Sequence, residues 1–281
     1  MRKTLTVSII IPVYNEEDYI KQCLDHIAAQ KIPPQEVIVV DNNSTDKTLE
    51  IVKEYKFVKV LTEKQQGVLY ARNKGFNLAK SQIIGRIDAD TRLEPDWVEQ
   101  VQRIFSGSNV DAVSGSSHFY DMPLSPWNHK VEDVFKHNLY TYEKDFPFLF
   151  GTNMAIRKSA WNQVKDLLCV DKYIFEDSDL AIHLYQTGHK ILYDKNLRAG
   201  MSARRYQDSP ADFKKYINLQ SLTYKKHDIH TVGSKVAIAA YFAGYLLARP
   251  LSKSYDNKNQ KRSLRHLLFG AKQARQHPFE S

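Results

Sequence analysis

Two acidic clusters in this sequence have the residue types and the spacing of groups that do chemistry. The first is Asp88-Ala89-Asp90, in which the two carboxylates repel each other unless a cation lies between them. Mg²⁺ or Mn²⁺ accepts such oxygen ligands and keeps positions open for phosphate oxygens, where it stabilises the charge of a departing diphosphate. Asp88 and Asp90 therefore predict a metal site. The alternative is a solvated acidic turn before the helix that begins near Pro95.

The second cluster is Glu176-Asp177-Ser178-Asp179. Transfer of a group to a hydroxyl needs a base that removes the proton as the new bond forms. One carboxylate opposite the leaving group is enough for a direct displacement. We expect Asp177 to be this base, with Glu176 or Asp179 orienting the acceptor. The alternative is that these residues only cap the helix that follows.

Other polar residues in the first third of the chain could contact a ligand. Asp41 could accept a hydrogen bond from the imide of a pyrimidine base, and Tyr14 could stack on the same base. Glu16 either faces the ligand or favours a helix N-terminus through the helix dipole. Arg72 lies in a predicted helix from which it could reach a phosphate or a ribose. Ser44 is expected only to cap the next helix.

Alternating strands and helices must position these residues. Continuous apolar runs predict strands buried on both faces, and helical spacing of apolar residues predicts the helices between them. Strands are expected at 7–13, 36–40, 58–61 and 83–87, and helices at 17–30, 47–55 and 69–79. This alternation is typical of an open α/β fold with a largely parallel sheet, in which ligands bind at the carboxyl ends of the strands. Polar clusters follow three of these strands, at 14–16, 41–43 and 88–90.

The second half of the domain is less regular. A helix from Pro95 to Phe105, a strand at 112–115 and a helix ending near Thr187 are expected. Between them, the aromatic-rich segment 119–149 could form the wall of a second substrate site. We predict a catalytic domain at 1–210, with a ligand-binding half at 1–110 and an acceptor half at 111–210, followed by a basic helical extension at 211–281.

Composition excludes several classes of protein. The 281 residues are 42% hydrophobic and 26% charged, as in an ordinary globular protein. Only two cysteines occur, Cys23 and Cys169, which argues against a disulfide framework and for a reducing compartment. Neither has a Cys or His partner at metal spacing, so both are expected to be small buried apolar residues. The run 5–13 is a strand rather than a signal peptide, which together with the cysteines favours the cytoplasm.

The C-terminal region combines positive charge with an apolar run. Acidic residues are few after 213, and the basic ones are Lys214, Lys215, Lys225, Lys226, Lys235, Arg249, Lys253, Lys258, Lys261, Arg262, Arg265, Lys272 and Arg275. The uncharged run 236–248 is shorter than the roughly 20 residues that span a bilayer. It is either a buried helix, an interfacial helix at the inner face of the cell membrane, or, least favoured, a spanning helix. An amphipathic helix is expected at 262–276. Nucleic acid is not an expected partner, because no aromatic and basic stacking motif accompanies the charge.

Taken together, these motifs resemble the family 2 glycosyltransferases, which have the GT-A fold. The resemblance covers about the first 205 residues, in order and spacing. It is carried by residues 8–17, 37–46, 67, 71–75, 87–90, 151–157 and 176–180.

The resemblance implies an inverting enzyme that transfers a sugar from a UDP- or GDP-sugar to a hydroxyl of a saccharide or lipid-linked acceptor, in the synthesis of cell-surface glycans or glycolipids. Asp88 and Asp90 would bind Mg²⁺ or Mn²⁺, and Asp177 would be the base. The remaining donor contacts implied are Pro12, Tyr14, Glu16, Asp41, Arg72 and Ala89, and the acceptor side would include Gly151, Thr152, Asn153 and Glu176. A polyprenyl-phosphate glycosyltransferase and a catalytically silent nucleotide-sugar-binding scaffold on this fold remain alternatives.

The sequence also departs from the family pattern. The Gln-x-x-Arg-Trp element of processive synthases is absent, and 203–206 stands roughly in its place, which favours single transfer over polymerisation. Residues 168–171 replace a Gly-Gly-Phe-Asp/Glu element. Many relatives have a histidine after the last core strand, but 199–202 contains none. We therefore expect Arg204 or Arg205 to supply the positive charge near the diphosphate.

Overall fold

A mixed eight-stranded sheet forms the centre of the computed structural model, which describes residues 4–122, 148–171, 173–229, 232–252, 254–256 and 261–262. The strands lie in the order β3-β2-β1-β4-β7-β6-β8-β5. Their bounds are β1 Val7–Val13, β2 Glu36–Asp41, β3 Val58–Thr62, β4 Ile83–Arg86, β5 Arg92–Leu93, β6 Ala112–Phe119, β7 Met154–Arg157 and β8 Ile191–Met201.

The first four strands lie where the apolar runs predict them. β1 pairs in parallel with β2 on one side and with β4 on the other, and β2 pairs in parallel with β3. Every residue of β1 except Pro12 is buried, as expected for a strand covered on both faces. β7 then runs antiparallel between β4 and β6. The predicted α/β fold is confirmed, and the sheet is mixed.

Helices cover both faces of the sheet. Their bounds are α1 Ile20–Ala28, α2 Thr48–Lys53, α3 Val68–Leu78, α4 Trp97–Gly107, α5 Lys158–Val164, α6 Glu176–Gln186, α7 Pro210–Lys226 and α8 Val232–Ser252. α1 and α4 pack on one face, and α3, α5 and α6 pack on the other. α1 shows why: Ile20, Leu24 and Ile27 recur at helical spacing, and all three are buried.

The described part of the C-terminal extension is helical, as predicted. Tyr245 of α8 is fully buried and stacks on Phe213 of α7, with ring centroids 3.9 Å apart. Among the described residues, no helix combines the length and apolar character needed to cross a membrane. Arg262 pairs with Tyr255 in a short antiparallel ladder, β9 Tyr255–Asp256 with β10 Lys261–Arg262. The rest of the helix predicted at 262–276, and most of the aromatic segment 119–149, lie outside the described residues.

Candidate active site

The antiparallel course of β7 brings the two acidic clusters to one edge of the sheet. Because β7 runs opposite to β4, its first residue, Met154, pairs with Arg86, the last residue of β4. Gly151, three residues before Met154, therefore lies beyond the end of β4, against the side chain of Arg86. The first turn of α6 reaches the same place, since Glu176 and Asp177 both contact Arg86.

Arg86 connects both clusters. Its Nη2 lies 3.0 Å from Oδ1 of Asp88 and 3.2 Å from Oε1 of Glu176, and its Nη1 donates to Oδ2 of Asp177 at 3.0 Å. The side chain is only 4% exposed. Burial alone lowers the pKa of this guanidinium, but the carboxylates of Asp177, Asp88 and Glu176 raise it further than burial lowers it, so Arg86 stays charged. Arg86 is not among the residues that the sequence predicted to form this site.

Gly151 lies against this guanidinium. Its N–H donates to Oδ2 of Asp177 at 2.9 Å. A Cβ at this position would overlap Nη1 of Arg86 and would lie too close to Oδ2 of Asp177. Position 151, predicted to lie on the acceptor side, therefore needs a glycine, because its backbone lies too close to the ion pair of Arg86 and Asp177 for a side chain.

Asp177 has one fixed oxygen and one without a partner. Oδ2 accepts from both Arg86 and Gly151, whereas Oδ1 is buried and has no hydrogen-bond partner within the described part of the chain. A buried acceptor without a donor is costly unless a ligand supplies one. This oxygen could take the proton of a hydroxyl bound at the site.

Glu176 lies deeper than Asp177. Burial, followed by the neighbouring charge of Asp177, raises the pKa of Glu176 from 4.5 to about 7, against the opposing effect of Arg86 and Arg72. The carboxyl of Glu176 therefore titrates near neutral pH. Oε1 of Glu176 accepts a hydrogen bond from Nη2 of Arg86, so this carboxyl is an ion-pair partner of the arginine.

Arg72, predicted to reach a phosphate or a ribose, lies in the interior of the structure. Its side chain is fully buried, and its Nη1 donates to the carbonyl oxygen of Glu176 at 3.0 Å. The guanidinium also lies 5.9 Å from the ring centroids of Phe76 and Trp161. Arg72 therefore supports the first turn of α6 from below, and its predicted contact with a donor stays a prediction.

Arg204 forms a second bridge between carboxylates. It follows β8 in a short 3₁₀ turn, Arg204–Gln207. Nε donates to Oδ2 of Asp90 at 2.8 Å, and the two terminal nitrogens donate to the two oxygens of Glu16 at 2.7 and 2.8 Å. Arg205, the other predicted diphosphate contact, stacks instead on Tyr216, with its guanidinium carbon 3.6 Å from the ring centroid.

The predicted nucleoside side consists of two interlocked turns. The turn after β1 carries Tyr14 and Asn15, and the turn after β2 carries Asp41 and Ser44. The N–H of Asn15 donates to Oγ of Ser44 at 3.1 Å, and the Asn15 side chain accepts from the N–H of Thr45 at 2.8 Å. Ser44 thus holds the other turn rather than capping α2. Asp41 is buried, and its Oδ1 accepts from the N–H of Ser44 at 3.2 Å. Pro12 and Tyr14 are partly exposed beside it.

Several predicted contacts are buried away from any ligand. Asn153 is fully buried: its amide nitrogen donates to the carbonyls of Ser116 and Leu197, and its oxygen accepts from the indole of Trp97. It therefore fixes the start of β7 and does not face an acceptor. Thr152, by contrast, is partly exposed.

Two members of the acidic clusters also face inward. Ala89 lies between Asp88 and Asp90 in the sequence, but its side chain points into the hydrophobic core below the sheet edge. Asp179 is fully buried and accepts from the N–H of Cys169 at 3.0 Å. It lies away from Asp177 and does not orient an acceptor there.

The net charge of this site is negative, which favours the binding of a cation. Three guanidinium groups, those of Arg72, Arg86 and Arg204, face five carboxylates, those of Glu16, Asp88, Asp90, Glu176 and Asp177. With all five carboxylates ionised, two negative charges remain, and protonation of Glu176, whose pKa is about 7, leaves one. The net charge is negative in either state, which favours a divalent cation such as Mg²⁺ or Mn²⁺. Asp88 and Asp90 each pair with an arginine through one oxygen, which leaves the other for a hard cation. The donor set therefore fits such an ion.

A family model described as Glycosyl transferase family 2 matches residues 8–165, which is more than half of the chain and includes the donor-side motifs. The chain belongs to glycosyl transferase family 2. This confirms the resemblance seen in the sequence and makes the protein a glycosyltransferase by family.

The matched relatives are longer proteins. Glycosyltransferase AglE of Haloferax volcanii is 39% identical over 120 residues, which cover 40% of this chain and 40% of AglE. Glycosyltransferase GlyA of Streptococcus pneumoniae is 27% identical over 209 residues, which cover 69% of this chain and 30% of GlyA. The chain thus spans less than half of the length of these relatives.

Solved structures share the fold. A mannosyltransferase from Pyrobaculum calidifontis, solved with GDP-mannose and Mn²⁺, matches with a TM-score of 0.64 at 20% identity, over 89% of this chain and 72% of that protein. Staphylococcus aureus TarS, solved with UDP-GlcNAc, matches with a TM-score of 0.57 at 20% identity, over 86% of this chain and 72% of that chain. These likenesses confirm the predicted GT-A architecture.

Proposed function

We propose that this protein is an inverting glycosyltransferase that transfers one sugar from a UDP- or GDP-sugar to a hydroxyl of a saccharide or lipid-linked acceptor. The observation that carries the proposal is the bridge through Arg86, which places Asp88 of the donor-side cluster and Asp177 of the acceptor-side cluster on the same guanidinium. A direct displacement needs the base and the leaving group at one reacting carbon, and the bridge supports this by holding the proposed metal site and the proposed base close together.

The donor lies, in this proposal, across the carboxyl ends of β1, β2 and β4. Asp41 and Tyr14 meet the base, and the diphosphate lies near Asp88, Asp90 and Arg204. Asp88 and Asp90 would hold Mg²⁺ or Mn²⁺, which offsets the charge of the diphosphate as it leaves. The excess of negative charge at the site and the all-oxygen donor set support this assignment.

The acceptor hydroxyl is proposed to donate to Oδ1 of Asp177. This oxygen is buried and lacks a partner in the described residues, while Oδ2 is fixed by Gly151 and Arg86. Fixing one oxygen orients the other, so the carboxylate needs no reorganisation to accept the proton. Transfer then moves the hydroxyl proton to Asp177, the hydroxyl oxygen to the anomeric carbon and the bonding pair to the diphosphate.

The test is a pair of variants compared with the wild type. A thermal-shift screen of UDP- and GDP-sugars with Mg²⁺ or Mn²⁺ first identifies the donor, and donor hydrolysis or transfer to simple saccharides then gives the rate. Asp177→Asn is expected to bind the donor normally and to lose at least about 100-fold in turnover, since a base contributes that much. Asp90→Asn is expected to lose the metal-dependent thermal shift.

Asp166→Asn is the matched control, because Asp166 is exposed on the surface after α5. Normal turnover of Asp177→Asn would contradict its role as the base. Full metal dependence in Asp90→Asn would contradict the donor site. If the wild type binds the donor but shows no turnover, the fold acts as a nucleotide-sugar-binding scaffold.

We also propose that α8 contacts a membrane surface. One side of this helix packs on α7 through Tyr245, while the other exposes Leu246, Leu247 and Leu251, which are 49%, 79% and 50% exposed. An exposed apolar helix face in a basic region fits an interfacial position on anionic lipid. This surface would suit a lipid-linked acceptor.

A further inference from the structure

A second group of metal-ligating side chains lies behind the helix that carries Asp177. It consists of Cys169, in the loop before α6; Asp179 and His183, one turn apart on α6; and His227, which follows the last residue of α7. One ligand atom from each of the four residues lies within 4.8 Å of the ligand atoms of the other three. Three separate parts of the chain thus contribute one ligand set.

The individual distances are close to those of a tetrahedral site. Sγ of Cys169 lies 3.9 Å from Nε2 of His227, and Nε2 of His183 lies 3.6 Å from Oδ1 of Asp179. Zinc bonds of about 2.0–2.3 Å place tetrahedral ligand atoms about 3.3–3.8 Å apart. Nε2 of His227 is nearer to Oδ1 of Asp179, at 2.7 Å, because these two atoms share a hydrogen bond.

The chemistry of the four groups selects the ion. A thiol, two imidazoles and one carboxylate form a mixed sulfur, nitrogen and oxygen set, which suits Zn²⁺ and does not suit Mg²⁺ or Mn²⁺. This set differs from the all-oxygen pair Asp88 and Asp90. The two sites would therefore bind different metals.

The surroundings of the cluster also favour a ligand. Asp179 is fully buried, and the side chains of His227 and His183 are 8% and 14% exposed. Nε2 of His183 is buried and has no hydrogen-bond partner among the described residues, although it faces Asp179.

We propose that Cys169, Asp179, His183 and His227 bind one structural Zn²⁺ ion. Binding replaces the thiol proton of Cys169, which is released to solvent, and the hydrogen bond between Asp179 and His227. The ion fastens the loop at 169–175 and the end of α7 to α6. It would thereby fix the helix whose first turn carries Glu176 and Asp177, a consequence that rests on the proposed function, whereas the zinc site itself does not.

Metal analysis of the full-length chain, purified without a histidine tag, is the direct experiment. The wild type is expected to contain close to one zinc per chain by elemental mass spectrometry, after dialysis against a weak chelator. Cys169→Ser and His227→Ala are expected to lose most of this zinc. His189→Ala is the matched control, because His189 lies just after α6 and its imidazole contacts the hydroxyl of Thr187, not a residue of the cluster, among the described contacts. It should keep its zinc.

Replacement of zinc by Co²⁺ keeps the test independent of folding and of catalysis. The wild type is expected to show tetrahedral Co²⁺ absorption with a thiolate charge-transfer band, and Cys169→Ser should lose that band while circular dichroism stays unchanged. Asp88→Asn should keep it, which separates this site from the donor site. Zinc content that is far below stoichiometric in the wild type after incubation with Zn²⁺ would overturn the proposal, as would equal zinc in Cys169→Ser and wild type. Loss of transfer without loss of zinc would bear only on the proposed function.

Discussion

Arg86 and Asp177 are 91 residues apart in the chain, yet Nη1 of the arginine donates to Oδ2 of the aspartate at 3.0 Å in a nearly buried pair. The same guanidinium reaches Asp88 and Glu176 through its other nitrogen. One side chain at the end of β4 thus sets the separation between the proposed metal site and the proposed base.

We expect Arg86→Lys to fold and to lose turnover. A single ammonium keeps the charge but cannot bond to three carboxylates in the geometry of a planar guanidinium. Misplacement of Asp177 by about 1 Å is expected to lower kcat about 100-fold. Steady-state kinetics with the donor found by thermal shift would measure this. Arg103→Lys is the control, since Arg103 forms an exposed pair with Asp194, and unchanged kcat in Arg86→Lys would refute the proposed role of this bridge.

Gly151→Ala is expected to lose turnover, as Arg86→Lys does, and to be less stable than the wild type. The added methyl would overlap Nη1 of Arg86, so the ion pair with Asp177 must open. The strain should lower the free energy of unfolding by about 1–3 kcal/mol. Gly107→Ala is the matched control, because nothing lies within 4 Å of a Cβ there. Chemical denaturation and kinetics would both be measured, and near-wild-type values for Gly151→Ala would show that Arg86 can move freely.

Glu176→Gln should change how stability depends on pH. The pKa of Glu176 rises from 4.5 to about 7 on folding, so the folded state binds the proton more tightly than the unfolded state. Its contribution to stability is fully present below pH 4.5 and is lost as pH rises through about 7. Glutamine cannot ionise, so the variant should gain relative to wild type by at most about 3 kcal/mol between pH 4.5 and pH 8. Urea denaturation at several pH values measures this, and parallel curves would contradict the shifted pKa.

Arg204→Gln should weaken nucleotide binding, and Arg205→Gln should not. Arg204 lies between Glu16 and Asp90, beside the proposed diphosphate position, whereas Arg205 stacks on Tyr216. Loss of a charged hydrogen bond to phosphate is worth about 1.5–3 kcal/mol, which is tenfold or more in Kd. Calorimetric titration with UDP and with GDP, each with Mn²⁺, would test this. The reverse result would make Arg205 the diphosphate contact.

Leu247→Glu should reduce binding to vesicles that contain anionic lipid. Leu247 is 79% exposed on α8, so the change should leave the fold intact and place a negative charge against the lipid surface. Leu167→Glu is the control, since Leu167 is 49% exposed in the turn after α5. Equal co-sedimentation of wild type and Leu247→Glu would remove the membrane contact proposed for α8.

Local patterns were sufficient to predict the first four strands and the polar residues that follow three of them. The runs at 7–13 and 36–40 are buried strands because their apolar residues leave no polar face, and the polar residues that follow them lie together at one sheet edge. Arg86 was missed because it stands inside an apolar strand, and its partners on α6 are 90 and 91 residues away. A charged residue in a fully buried run, two positions before Asp88, was the available signal.

The cluster around Cys169 was also missed because its members are far apart in the sequence. The sequence expectation that Cys169 has no metal partner rested on short spacing, whereas its partners stand 10, 14 and 58 residues further on. Only the packing of α6 on α7 brings His227 to Asp179. Asn153 and Arg72 are fully buried, and their predicted ligand contacts stay predictions. Local sequence patterns do not show whether a polar side chain faces a ligand or supports the backbone.

The antiparallel strand β7 has a consequence for engineering this chain. Gly151 is held to Arg86 because Met154 and Arg86 are partners in one ladder of backbone hydrogen bonds. A graft that replaces the segment ahead of Gly151 with that of another enzyme would leave this ladder intact and could change the acceptor that is chosen. Adding or removing one residue between Gly151 and Met154 would instead put a residue with a side chain against Arg86, and its Cβ would displace the guanidinium and open the ion pair with Asp177.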